Sequence, residues 1–312
     1  MILDRPRTAG IGRHLLDVDA MSRAEIERIL DLAVEMRRAR AERRHRSLLE
    51  GETVGLAFYE GSTRTRVSFE LGARALGATV VDLGVAGSSV GKGESLVDTL
   101  RTLERTGVTT LVLRHAASGA PYLAARTTGM AIVNAGDGTH AHPTQALLDA
   151  LTLREALGSL DGRLVAIVGD VAHSRVARSN LHALVSLGAR VRLGGPPAWV
   201  RAFEGWPGVE IADDLPSTLA GADAVMTLRV QMERAAGSGV PSLREVTRRW
   251  GLDEARMQMA TAGAPVLHPG PTNEGVEISS ELANGPRSLI GRQVENGVPI
   301  RMAVLALVTG AA

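Results

Sequence analysis

Short apolar runs alternate along the chain with longer stretches in which apolar positions return every three or four residues. The short runs read as strands at 53–58, 79–83, 110–113 and 131–134, then at 164–168, 190–193, 224–228 and 265–267. Most are continuously apolar, the pattern of strands covered on both faces. The longer stretches, at 64–76, 94–105, 144–157 and 175–187, read as amphipathic helices. Such alternation predicts an α/β chain of parallel sheets joined by crossovers, each flanked by helices in the doubly wound, Rossmann-like manner.

The strands come in two blocks. The first ends near Asn134 and is followed by a glycine-containing loop, a helix, and a stop-and-turn at Leu157-Gly158-Ser159-Leu160-Asp161-Gly162. The predicted division is a first domain over 1–150 and a second over 151–289. A last helical stretch, about 290–312, is expected to pack back on the first domain. A length of 312 residues agrees with two domains at roughly 150 residues each.

Composition narrows the chemistry. The chain has no cysteine, which excludes disulfides, thiol catalysis and cysteine-bound zinc. Thirty-five basic against 34 acidic residues leave a net charge of +1, and aromatic residues are only 3%. Neither a global positive field nor a stacking platform points to nucleic acid, so any anion must be held by a local cluster. The most apolar stretch near the end, 302–308, is far short of the roughly 20 residues a membrane helix needs. No targeting segment is evident, so a cytoplasmic protein is expected.

The richest local cluster is Ser62-Thr63-Arg64-Thr65-Arg66, between a predicted strand and a predicted helix. Ser62 or Thr63 suits an N-cap. A helix N-terminus offers free N–H groups and partial positive charge, which suit phosphate. Two arginines in a first turn, where cations are mildly unfavourable, also favour an anion site. Gly87-Ser88-Ser89-Val90-Gly91-Lys92-Gly93 resembles a P-loop only superficially: Ala86 stands where a glycine is required and Gly93 where Ser or Thr is required. It reads equally as a turn or as a loop carrying Lys92 to an anionic ligand. His140-Ala141-His142-Pro143 lacks a nearby third metal ligand in sequence and reads as a helix start with Pro143 in the first turn. His142 and Gln145 can there meet one carbonyl-and-amide ligand. Arg114, Arg175 and Arg229 each lie at or beyond the end of a predicted strand, the edge where open α/β sheets bind ligands. Val168-Gly169-Asp170 lacks the later glycines of a dinucleotide fingerprint. His268-Pro269-Gly270-Pro271 reads as a rigid turn whose carbonyls can accept from a ligand amide, or simply as a loop.

Taken in order, these fragments resemble the aspartate and ornithine carbamoyltransferases from about Leu15 to the C-terminus. Ser62-Thr63-Arg64-Thr65-Arg66 looks like the family's carbamoyl-phosphate motif. His142-Pro143-Thr144-Gln145 and His268-Pro269-Gly270-Pro271 look like its next two landmarks. Ornithine enzymes carry Asp-x-x-x-Ser-Met-Gly and His-Cys-Leu-Pro segments, which this chain lacks. Arg229-Val230-Gln231-Met232-Glu233-Arg234 is similar to the aspartate-binding loop instead, and a dicarboxylate acceptor calls for cations such as Arg175, Arg229 and Lys92.

The resemblance implies an enzyme that moves the carbamoyl group of carbamoyl phosphate to L-aspartate, in pyrimidine biosynthesis, with no cofactor and no metal. It implies that Ser62, Thr63, Arg64 and Thr65 hold the phosphate, and that Arg114, His142 and Thr65 polarise the carbamoyl oxygen. Gln145 and the carbonyls of Pro269 and Gly270 would hold the carbamoyl amide. Arg175, Arg229 and Gln231 would bind aspartate, with Ser88 and Lys92 reaching in from a neighbouring subunit of a homotrimer. Larger assemblies with regulatory or dihydroorotase-like chains occur in the family. The alternatives are another amino-acid acceptor or a non-catalytic scaffold subunit. Two positions depart from the family pattern: Gly61, where relatives often have Pro or Ala, and Glu274, where a basic residue is more usual nearby and which is expected to face solvent.

Overall fold

A computed structural model describes residues 12–42, 47–84, 95–230 and 242–312. The chain divides into two compact units, Met1–Leu147 with Gly297–Ala312, and Leu148–Asn296. From sequence the divisions were placed at 150/151 and near 289/290; the contacts place them at 147/148 and 296/297, inside two helices.

The first unit contains β1 (His14–Leu15), α1 (Arg23–Ala41), β2 (Thr53–Phe58), α2 (Thr63–Ala75), β3 (Thr79–Leu83), α3 (Leu96–Arg105), β4 (Thr110–His115), α4 (Ala120–Thr127) and β5 (Ala131–Asp137). Helix α5 (Pro143–Leu157) then leads into the second unit: β6 (Leu164–Gly169), α6 (Arg175–Ser186), β7 (Arg190–Gly194), α7 (Pro197–Val200), β8 (Val209–Ala212), α8 (Leu215–Leu219) and β9 (Ala224–Leu228). It closes with α9 (Leu243–Trp250), α10 (Glu254–Met257), β10 (Val266–Leu267), α11 (Ser280–Asn284) and α12 (Ile290–Val308), whose later part belongs to the first unit. No described helix is long and apolar enough to cross a membrane.

Each unit is built on a five-stranded, wholly parallel sheet, ordered β1-β5-β4-β2-β3 in the first and β10-β9-β6-β7-β8 in the second. The central strands are the continuously apolar ones: Leu111–Leu113 in β4 and Val165–Val168 in β6 are fully buried. The edge strands differ. Strand β3 is half-open to solvent and β8 is only partly buried along its length. Two strands lie outside the runs predicted from sequence: β8, whose Val209-Glu210-Ile211-Ala212 is interrupted by a charge, and β1, which has only two residues. Large aromatics are few, and Phe69, Trp199 and Phe203 lie fully inside.

Both sheets reverse direction at the same point in their topology. The chain runs from β2 outward to β3, then returns past β2 to β4 on its other side. In the second sheet it runs outward from β6 through β7 and β8, then returns to β9. The crevices beyond the carboxyl ends of β2/β4 and β6/β9 are therefore the topological switch points, where ligands of open α/β sheets bind.

Candidate active site

At the first switch point Phe58 of β2 lies opposite Arg114 of β4, and the Tyr59 N–H donates to the Arg114 carbonyl at 2.9 Å. Three residues later Ser62 takes the N-cap position of α2 in an extended conformation. The sequence suggested a capping hydroxyl there. The structure differs: Ser62 makes no side-chain cap bond, and the first turn carries no acidic residue. Its hydroxyl and the N-terminal N–H groups are thus left out of the helix's own capping, an arrangement suited to an anion.

The side chains of this turn diverge in role. Thr65 is buried, whereas Arg64 remains open to water. Enough protein surrounds the Arg64 guanidinium that partial desolvation pushes its pKa down from the ordinary value. Arg66 is paired with Asp82 instead. Ser68 Oγ donates back to the carbonyls of Arg64, at 2.7 Å, and Thr65, at 3.1 Å. Behind the turn, Arg301 of α12 stacks 5.0 Å above the Phe69 ring. Gly72 brings the two helices close, since a Cβ there would lie 3.3 Å from Met302 Cγ.

Arg114, at the end of β4, is largely buried. Its Nη1 donates to the Ala135 carbonyl at 3.3 Å, and its Nε lies 3.6 Å from Glu60. Glu60 had no functional role in the sequence reading. His142 and Gln145, both buried, stand just before and within the first turn of α5. The loop that delivers them is braced by Asp137, which is wholly buried. Its carboxylate accepts from the N–H groups of Gly119 (2.7 Å) and Ala141 (3.1 Å) and from Asn134 Nδ2 (2.9 Å). Its backbone N–H donates to the Ala141 carbonyl at 3.1 Å. His140, the other histidine of the His-Ala-His segment, lies 3.2 Å from Asp137 and 3.4 Å from Asp17. Its ring is engaged by two carboxylates. Asn134 and Asp137 were missed from sequence; their only signal is a polar pair at the end of an apolar strand.

At the second switch point Gly169 of β6 pairs with Leu228 of β9. Its φ of 119° and a Cβ position only 2.9 Å from the Leu228 carbonyl oxygen require glycine there. Asp170 follows, buried, 2.8 Å from His173 Nδ1. Ser174 caps α6 by accepting from the Ala177 N–H at 3.1 Å. Arg175 is the first residue of that helix and is 4% exposed. Arg229 directly follows β9 and is partly buried. Arg178, one turn beyond Arg175, instead lies 5.1 Å over the Phe203 ring, and burial lowers its pKa.

The turn after β10 is organised by His268, which is 1% exposed. Its Nδ1 accepts from the Gly270 N–H at 2.7 Å, so the ring proton sits on Nε2, which faces Glu277 Oε1 at 3.2 Å. Pro269 and Gly270 are thereby fixed in a tight turn. Glu274, the unusual acid nearby, is exposed. Among residues singled out from sequence, Ser88, Lys92 and Gln231 lie outside the described residues. In the first unit Ser62 to Thr65 and Arg114 share a switch point; in the second Arg175 and Arg229 share the other.

Comparison with known proteins decides the family. Residues 13–155 match the aspartate/ornithine carbamoyltransferase carbamoyl-P binding domain, and residues 161–308 match the Asp/Orn binding domain of the same family. The chain belongs to the aspartate/ornithine carbamoyltransferase family. Within this family, the aspartate carbamoyltransferase catalytic subunit of Gluconobacter oxydans is 51% identical over 302 residues, covering 96% of each chain. That of Gluconacetobacter diazotrophicus is 53% identical, covering 96% of this chain and 94% of that protein. Among solved structures, aspartate transcarbamoylase from Trypanosoma cruzi in complex with carbamoyl aspartate and phosphate superposes with a TM-score of 0.85 at 34% identity, covering 95% of each chain. Ornithine carbamoyltransferase from Thermus thermophilus gives a TM-score of 0.84 at 28% identity, covering 95% of this chain and 98% of that one. Fold similarity alone therefore does not separate the two carbamoyltransferase branches; the acceptor must be read from the site and from sequence.

Proposed function

We propose that this chain is a carbamoyltransferase that converts carbamoyl phosphate and L-aspartate to N-carbamoyl-L-aspartate and phosphate. The observation that carries the acceptor is the pair of arginines at the second switch point, Arg175 and Arg229, in a chain about half identical to catalytic subunits named for aspartate. Two guanidiniums suit the two carboxylates of aspartate, since each can grip one through parallel hydrogen bonds. The cationic side chain of ornithine would call for a carboxylate.

The roles follow from the chemistry of each group. Ser62, Thr63, Arg64 and Thr65 hold the phosphoryl oxygens through hydroxyls, N–H groups at the start of α2 and the Arg64 guanidinium. Gln145 and the carbonyls of Pro269 and Gly270 hold the carbamoyl amide. The aspartate nitrogen, unprotonated, attacks the carbamoyl carbon. Negative charge gathers on the carbonyl oxygen, where Arg114, His142 and Thr65 stabilise it; such preorganised donors are worth about 10²–10³ in rate. The new C–N bond forms as the C–O bond to phosphate breaks, and the departing phosphate takes the amine proton. Arg64 balances the charge on that leaving group. Gln231 completes the aspartate site, and Lys92 and Ser88 reach it from a neighbouring subunit of a homotrimer. A place in the cytoplasm and in the route to pyrimidines belongs to the same proposal.

A phosphate-release assay with carbamoyl phosphate and a panel of amino acids tests this reading. Release that requires L-aspartate, with N-carbamoyl-L-aspartate found by mass spectrometry, is the expected outcome. Release with ornithine but not aspartate would overturn the acceptor; no release from folded protein would favour a scaffold role.

A further inference from the structure

The second unit contains a chain of buried polar side chains that the chemistry above does not use. Asp149, Asn180, Gln293, His268 and Glu277 are each 3% exposed or less. Asn180 Nδ2 donates to Asp149 Oδ2 at 2.9 Å, and Gln293 Nε2 donates to Asp149 Oδ1 at 2.7 Å. The other end of the same amide, Gln293 Oε1, accepts from the His268 backbone N–H at 3.0 Å. Glu277 Oε1 then takes both His268 Nε2, at 3.2 Å, and the Asn273 N–H, at 2.6 Å.

The polarity of these bonds is not a matter of choice. A backbone N–H can only donate, so the His268 N–H fixes the oxygen end of Gln293 towards the turn and its nitrogen end towards Asp149. The Gly270 N–H likewise makes His268 Nδ1 an acceptor and puts the ring proton on the side of Glu277. The turn is therefore held twice, at its backbone by Gln293 and at its imidazole by Glu277. Gln293 comes from α12 and is anchored through Asp149 of α5 to Asn180 of α6, the helix that Arg175 opens. No shorter amide spans both contacts, and no carboxylate or thioether can make both. Two acceptors of this network, Asn180 Oδ1 and Glu277 Oε2, have no partner among the described residues; the bonds that are made are what hold the turn in one geometry.

We propose that Gln293 and Glu277 are positioning residues that set the Pro269 and Gly270 carbonyls for the carbamoyl amide. They act through His268 and touch no substrate. This inference rests on the assignment of those carbonyls to carbamoyl phosphate under the proposed function. It makes a selective claim: carbamoyl phosphate depends on the turn, whereas inorganic phosphate, which has no amide, depends on α2.

The test is calorimetric titration of the full chain with carbamoyl phosphate and, separately, with inorganic phosphate. Gln293→Met keeps the side-chain length and removes both hydrogen bonds. It is expected to weaken carbamoyl phosphate by about 10-fold or more while leaving inorganic phosphate within about 2-fold. Glu277→Leu is expected to repeat that selective loss, and Glu277→Gln, whose oxygen still accepts both bonds, to restore most of the affinity. Should Gln293→Met fail to fold, the Glu277 pair decides. Equal losses for both ligands, unchanged affinity for both, or no difference between Glu277→Leu and Glu277→Gln would overturn the proposal. A wild-type chain that binds carbamoyl phosphate yet fails to carbamoylate aspartate would overturn the acceptor reading alone.

Discussion

At the start of α2, Ser62 occupies the N-cap and keeps its hydroxyl out of the cap; at the start of α6, Ser174 occupies the same position and accepts from the Ala177 N–H at 3.1 Å. The two helices leave equivalent strands at the switch points of two sheets with similar winding. The difference lies in what the helix end retains for a ligand. At α2 the N–H groups and a spare hydroxyl remain, beside an open Arg64. At α6 the cap is closed and the charge comes from buried Arg175, with Arg229 beyond the neighbouring strand. Phosphate, with three oxygens to satisfy, suits a ring of N–H and O–H donors. A carboxylate, planar and two-pronged, suits a guanidinium. On the proposed function, one topology supplies two anion sites of different geometry, and the division of labour between units follows from the capping residue and the placement of arginine.

The largest effect should come from Arg64→Ala. Turnover should fall by about 10³-fold, since on the proposed function the guanidinium balances the charge of the leaving group, and the melting temperature should change little, since the residue is exposed. Near-normal turnover would remove it from the phosphate site. Arg229→Ala should raise the aspartate KM by about 10- to 100-fold, the worth of a charge-assisted hydrogen bond, and leave carbamoyl phosphate affinity alone. An unchanged aspartate dependence would dissolve the contrast between the two switch points.

The serines give a crossed pair. Ser174→Ala should cost about 1 kcal/mol in chemical denaturation, the usual loss of a cap, with a small effect on carbamoyl phosphate. Ser62→Ala should cost little stability, having no cap to lose, but raise the carbamoyl phosphate KM about 10-fold. The same stability loss in both would mean that the two helix ends are alike after all. Arg66→Ala sharpens the assignment within α2 itself. Its partner is Asp82 on an exposed strand, so turnover should stay within about 2-fold and stability within about 1 kcal/mol.

The smallest effect concerns β1. Burial, with the charge of Arg13 second, pushes the His14 imidazole below its ordinary pKa, and its Nδ1 accepts from the Ile132 N–H at 3.1 Å. The fold therefore favours the neutral ring. Stability from this source is intact above the unfolded pKa of about 6.5 and is lost as pH falls through the lower folded value. His14→Gln should flatten the decline of the melting temperature below pH 6.5, and an unaltered decline would assign it to other groups.

Much of the scaffold was legible because its central strands are uniform. The runs at 53–58 and 224–228 coincide with the central strands β2 and β9 to the residue, and the arginines beyond the strands were visible as charges interrupting apolar runs. What escaped was governed by contacts across large sequence distances. Gln293 and Asp149 are 144 residues apart, and nothing in the local pattern of either helix says that they meet. Asp137 reads as a loop acid in sequence, yet it is fully buried because four donors around it can be satisfied only once β5, α4 and the following loop are in place. Ser62 shows the opposite limit: it takes the N-cap position read from sequence, yet its hydroxyl makes no cap bond, which local sequence alone does not reveal.

Calorimetric titration of carbamoyl phosphate into the wild type, Arg64→Ala and Arg229→Ala tests the division of labour most directly. Arg64→Ala should give no measurable heat of binding, and Arg229→Ala should bind as the wild type does. Binding retained by Arg64→Ala, or lost equally in Arg229→Ala, would contradict the assignment of the phosphate to the open end of α2.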